Sequence, residues 1–148
     1  MCLEYLHLIP DSSLPDISHL APFKAMLILE APCPEEWQNK VCRWIIEMGG
    51  LNVDTWGIEC NDWSDALLRA MHEVFIDEVP DEHFIMTSWH DDESLKSAFF
   101  YLGACAYLSY TDVELENTLL LHIGGENKEQ EILEEYHNRG HDDVCENT

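Results

Sequence analysis

Basic residues are scarce in this chain: seven Lys and Arg stand against thirty Asp and Glu in 148 residues, a formal charge of −23. A surface so short of positive charge is unsuited to nucleic acid or to an anionic membrane, both of which are held by Lys and Arg. The acids are not confined to a solubilising tail, because residues 24–125 alone hold nineteen acids and five bases. Such a body repels itself, stays soluble and captures basic partners quickly. Long apolar runs are also missing, and none approaches the ~18 residues that indicate a membrane span. The first ten residues, MCLEYLHLIP, contain no Lys or Arg and so lack the basic start of a secretory leader. C-x-x-C spacing is absent among the six cysteines, Cys2, Cys33, Cys42, Cys60, Cys105 and Cys145. Reduced thiols in a cytosol are the simplest account of that scatter.

Glycine is missing where phosphate chemistry would need it. EAPCPEEW, which follows the first strand candidate, has none, and its glutamates repel a phosphate. Gly124-Gly125 is followed by Glu126, so a dinucleotide site is not expected and no cofactor is assigned.

What is present is a repeated strand-and-helix pattern. KAMLILEA (24–31) is a continuous apolar run, as in a strand buried on both faces. Pro34, Glu35 and Glu36 suit a helix start, and Trp37, Val41, Trp44, Ile45 and Met48 form one apolar stripe. LNVDTWGIE (51–59) alternates in part, with Asn52 and Asp54 opposed to Leu51 and Val53, which predicts a half-exposed edge strand. A helix with Trp63, Leu67, Met71 and Val74 on its stripe follows, capped by Asn61 or Asp62. HFIMTSW (83–89) is the third strand, and Leu95, Phe99, Leu102 and Ala106 mark the helix after it. TLLLHI (118–123) is the fourth, followed by a mostly polar helix that docks through Ile132, Leu133 and Tyr136.

Four such units predict a single α/β domain, with a mainly parallel four-stranded sheet and helices on both faces. With the partly polar second strand at an edge, the expected order is flavodoxin-like or Rossmann-like, 2-1-3-4. The domain is expected over residues 24–140. Residues 1–23 form a strap or an added edge strand, and residues 141–148 an acidic frayed tail.

Ligands of open α/β sheets bind beyond the carboxyl ends of the strands, where the strand order reverses. In the expected order that point lies between strands one and three. It gathers Glu30 and Cys33 with the residues of SWHDDES, namely Trp89, His90, Asp91 and Asp92, while Cys60 and Asp62 follow strand two. His90, the carboxylates and a thiol are a possible donor set for a divalent metal ion. Cys33 at a helix start, with His90 as its base, is the alternative of a cysteine nucleophile, which the surrounding acids oppose. The structural reading of the same residues is a helix start, with Asp91 or Asp92 as the cap and Glu93 complementing the dipole. Of the five tryptophans, Trp37 and Trp44 belong to a core stripe, whereas Trp56, Trp63 and Trp89 fall near strand ends and are candidate binding aromatics.

The segments PFKAMLILEAPCPEEWQNKVCRWIIEMGGL and VPDEHFIMTSWHDDESL resemble a group of small acidic bacterial proteins that carry no assigned function. The resemblance covers roughly residues 22–125. It implies a bacterial cytosolic origin and no catalytic residues, and it transfers no site.

The leading functional expectation is a cytosolic protein-binding module. Its acidic surface would engage a basic protein partner, as an immunity protein or inhibitor does, with no direct contact to nucleic acid or membrane. Two other classes remain open. One is a DNA mimic that inhibits a nucleic-acid-binding enzyme; the other is a metal-dependent or cysteine enzyme working at the strand ends.

Overall fold

The computed structural model describes residues 2–104 and 115–147. Its strands are β1 (Leu3–Leu8), β2 (Phe23–Leu29), β3 (Gly50–Gly57), β4 (Met86–His90) and β5 (Asn117–Ile123). The helices are α1 (Glu35–Glu47), α2 (Cys60–Val74), α3 (Leu95–Ala104) and α4 (Glu129–Asn147), the last helical through residues 141–147. Cys105 and Ala106 lie outside the described residues.

All five strands are parallel, in the order β1-β5-β2-β3-β4. The α/β class and the parallel sheet are as expected, but the strand number and order are not. The second predicted strand, now β3, is internal between β2 and β4 instead of at the edge. Its polar residues misled because they are not solvated: Asn52 and Asp54 are buried, and Asp54 faces His90 of β4 within the protein. The edge belongs to β4, whose Met86 and Trp89 are exposed. The N-terminal segment supplies the fifth strand, β1, which pairs with β5 from Leu3↔Thr118 to Leu8↔Ile123.

β2 is buried at every position, as its unbroken apolar run requires. Phe23, Ala25, Leu27 and Leu29 enter the larger core under α1 and α2, while Met26 and Ile28 enter a smaller one under α3 and α4. α1 buries Trp37, Val41, Trp44 and Ile45 of the expected stripe, while Met48 is the half-buried residue that ends the helix. Both indoles also hold the segment that leads from β1 to β2. Trp37 Nε1 donates to the Ser12 carbonyl at 3.0 Å and Trp44 Nε1 to that of Pro15 at 2.8 Å. The segment is therefore a strap across α1 as well as a link between strands, and it buries Ile17 and Leu20.

β3 ends at Gly57, with φ +106°, where a Cβ would stand 2.2 Å from the Leu29 carbonyl oxygen. Only glycine permits that approach. The chain then turns through Glu59 into α2, which starts at Cys60 and not after a cap at Asn61 or Asp62. Among the described residues no helix is long and apolar enough to cross a membrane.

Candidate functional site

From β2 the chain builds outward through β3 to β4, then returns to lay β5 on the other side of β2. The strand order thus reverses between β2 and β5. In a parallel sheet that is where the flanking loops part and leave a crevice. Glu30 follows β2, and His122 is the penultimate residue of β5. They meet there, with Glu30 Oε1 2.6 Å from His122 Nε2. The other ring nitrogen, Nδ1, lies 2.8 Å from the Tyr5 hydroxyl of β1, and that hydroxyl accepts the Lys128 backbone N–H at 3.1 Å. The Lys128 ammonium reaches Glu30 at 3.3 Å and 3.4 Å. His7, beside His122 in the sheet register, is bonded through Nε2 to the Gly124 carbonyl at 2.8 Å.

Electrostatics fix the protons in this line. Burial raises the Tyr5 pKa, so the hydroxyl keeps its proton and donates it to His122 Nδ1. Burial lowers the His122 pKa against the pull of Glu30, so the ring is neutral and its remaining proton, on Nε2, points at Glu30. Burial alone would raise the pKa of Glu30, but the bonds from His122 and Lys128 outweigh it and hold the carboxyl below its ordinary range. The result is an ionised carboxylate fixed in orientation by a buried neutral imidazole. It opens on a cleft of about 480 Å³ between α3 and α4, whose walls include Lys96, Lys128, Glu131, Glu134 and Glu135.

A second polar cluster lies on the same face of the sheet. Asp54 of β3 and His90 of β4 are both buried, with Asp54 Oδ2 and His90 Nε2 3.6 Å apart. That is ion-pair distance without a hydrogen bond, and among the described residues both Asp54 oxygens and His90 Nε2 lack a hydrogen-bond partner. His90 Nδ1 bonds Glu93 Oε2 at 3.0 Å, and the ring sits edge-on to Tyr101 with centroids 4.9 Å apart. Burial opposes charge on His90, yet Asp54 and Glu93 outweigh it and raise its pKa. Burial likewise raises the Asp54 pKa.

The expected crevice between β2 and β4 does not exist, because β3 separates them. Glu30 therefore meets His122 and not His90. Cys33 lies across β3 from His90, beside the α1–α2 core, in a separate cleft of about 310 Å³ with Glu35, Glu59, Asp62, Asp65 and Arg69. Burial first, then Glu59 and Asp11, push its thiol up to about 11, the reverse of an activated nucleophile. Cys60 is buried with its pKa raised, chiefly by burial. Asp91 and Asp92 are exposed in the turn after β4, and neither caps α3. That cap is Ser94, whose Oγ accepts the Ser97 N–H at 3.1 Å. Among the described residues no group of three or more His, Cys, Asp and Glu side chains is placed to hold a metal ion. Of the candidate binding aromatics, Trp63 is buried, Trp56 is half-buried with its indole on the Glu93 carbonyl at 2.8 Å, and Trp89 is 54% exposed.

Sequence reasoning left out Tyr5, Lys128 and Asp54. A signal existed for the last: an acid within an otherwise well-buried strand must find a partner. No curated protein and no solved structure matches the chain. Residues 3–139 match the family described as a domain of unknown function (DUF7684), and the chain belongs to that family.

Proposed function

We propose that this protein is an acidic binding module that captures a basic segment of a partner protein, in the manner of an immunity protein or inhibitor. The observation that carries the reading is the convergence of acids at one end of the sheet. Two clefts open beyond the carboxyl ends of the strands. Glu30, Glu131, Glu134 and Glu135 outnumber Lys96 and Lys128 around one, and Glu35, Glu59, Asp62 and Asp65 outnumber Arg69 around the other. The loop after β4 adds exposed Asp91 and Asp92 at the same end. Fields from like charges lining concave walls add up, which steers a cationic partner inward and makes association fast and salt-sensitive.

The arrangement at Glu30 supports the reading. Glu30 is held ionised and fixed by His122 and Lys128. A carboxylate that already accepts one ammonium group at the mouth of the cleft is suited to accept another from a basic segment.

Binding of a fluorescent arginine-rich peptide tests the reading. It is to be compared between Glu131→Lys/Glu134→Lys/Glu135→Lys and a variant with equal charge change at the other end of the sheet, Glu47→Lys/Asp77→Lys/Glu78→Lys, all three exposed. The first set should weaken binding far more than the second. Equal weakening would mean that the peptide senses only net charge, and the reading would fall.

A further inference from the structure

Among the described residues β4 is an edge strand. It pairs with β3 without any register shift, and no described strand lies on its outer side. Natural sheets blunt such edges with lysine, proline, a bulge or a covering segment. Met86 to Trp89, MTSW, carries no charge and no proline. The opposite edge differs: β1 has every residue at least half-buried, and Glu4 is engaged by His19 at 3.1 Å.

The edge exposes two large apolar side chains. Trp89 is 54% exposed and Met86 43%, and the two residue types are enriched at interfaces. Three positions apart, they point to opposite faces of the sheet and so flank an added strand on both sides. One flanking helix adds an exposed apolar group: Leu68 lies one turn beyond Ser64, which bonds Thr87 of β4 at 3.0 Å. On the other face Tyr101 of α3 fixes the strand by bonding Ser88 at 3.3 Å. The edge is also preformed. Asp54 and Glu93 hold His90 at its end, and Trp56 holds Glu93, so little ordering remains for binding to bring about.

Charge selects the occupant. Exposed Asp81 and Glu82 precede β4, and exposed Asp91 and Asp92 follow it. A second copy would bring those acids, on a body of −23, against their like. An extended segment rich in Lys and Arg meets opposite charge at both ends of the strand. We propose that a basic, extended segment of a partner protein adds to β4 as a sixth strand, gripped by Trp89 and Met86. This rests on the binding function proposed above and names the mode of binding, with the sheet edge pairing the segment that the acids of the same face attract.

The test uses two short probe peptides of alternating Lys and Val. They are identical except that one is N-methylated at alternate backbone amides, which preserves charge but removes strand pairing. The unmodified peptide should bind at low salt and slow amide exchange at residues 86–90. N-methylation and Trp89→Ala should each weaken it by about tenfold, the scale of a hot-spot contact. Trp89 is exposed, so Trp89→Ala should fold as the wild type does, and Met86→Ala gives an independent second probe. If both peptides bind alike, with exchange at 86–90 and the Trp89→Ala affinity unchanged, strand addition is overturned and the acidic-module reading stands. If neither peptide binds at low salt, both fall.

Discussion

Asp54 and His90 face one another across neighbouring strands with 3.6 Å between carboxylate oxygen and ring nitrogen, and both are buried. The pair makes the inner side of β4 depend on charge. Asp54→Ala would leave a buried imidazole without its main counter-ion. Loss of one partner of a buried ion pair costs on the order of 3 kcal/mol. Urea denaturation should show that loss as a lower midpoint with an unchanged slope, and no change in midpoint would refute it.

The same pair sets a pH dependence with a definite sign. His90 titrates in the folded protein above its ordinary 6.5. The stability it contributes is therefore complete below about 6.5 and is lost as pH rises through the higher folded value. Asp54, also raised, acts in the same direction at its own pH. His122 acts oppositely. Its folded pKa is depressed, so its contribution is present above 6.5 and is lost as pH falls. Denaturation midpoints across the neutral range should flatten on the alkaline side in His90→Gln and on the acid side in His122→Gln. Parallel curves for wild type and both variants would contradict the assignment.

Tyr5→Phe removes one oxygen and strands two partners, His122 Nδ1 and the Lys128 N–H. A cost of about 1–2 kcal/mol is expected. Nitrogen NMR of His122 should report a neutral ring protonated at Nε2 in the wild type. A protonated Nδ1 at neutral pH would overturn the proton arrangement at Glu30.

Thiol reactivity should rank by environment. Cys2 is exposed, whereas the Cys33 thiol is pushed up to about 11 and Cys42 is buried. Iodoacetamide at neutral pH should label Cys2 well before Cys33, with Cys42 untouched until unfolding. Rapid labelling of Cys33 would restore it as a candidate nucleophile.

Trp37→Phe and Trp44→Phe keep most of the apolar bulk but remove the indole bonds to Ser12 and Pro15. Each should cost about 1 kcal/mol. Limited proteolysis between β1 and β2 should accelerate in the double variant, and unchanged cutting would show that Ile17 and Leu20 hold the strap alone.

Local elements could be read from the chain because each declares itself over a short window. The unbroken run at Lys24–Leu29 and the stripe from Trp37 to Ile45 are examples. Strand order is a long-range property, and the inference to it passed through the assumption that Asp54 met water. Once that residue is seen to be buried against His90, β3 moves inward and Glu30 changes partner. The line from Glu30 to Tyr5 could not be read at all, because LEYLHLI carries no mark that it pairs with residues more than a hundred positions away. Within SWHDDES, His90 turns inward to a buried acid, while Trp89 turns outward to solvent.

The position of β5 has a consequence for biosynthesis. β5 lies between β1 and β2, so Leu3 cannot meet Thr118 until the residues between them have left the ribosome. The unit from β2 to β4 joins neighbours in sequence and can assemble early. β1 waits for β5, which then seats itself between two strands made long before it. Closure of the crevice at Glu30 and His122 is thereby a late event in the assembly of this sheet, completed only when β5 arrives.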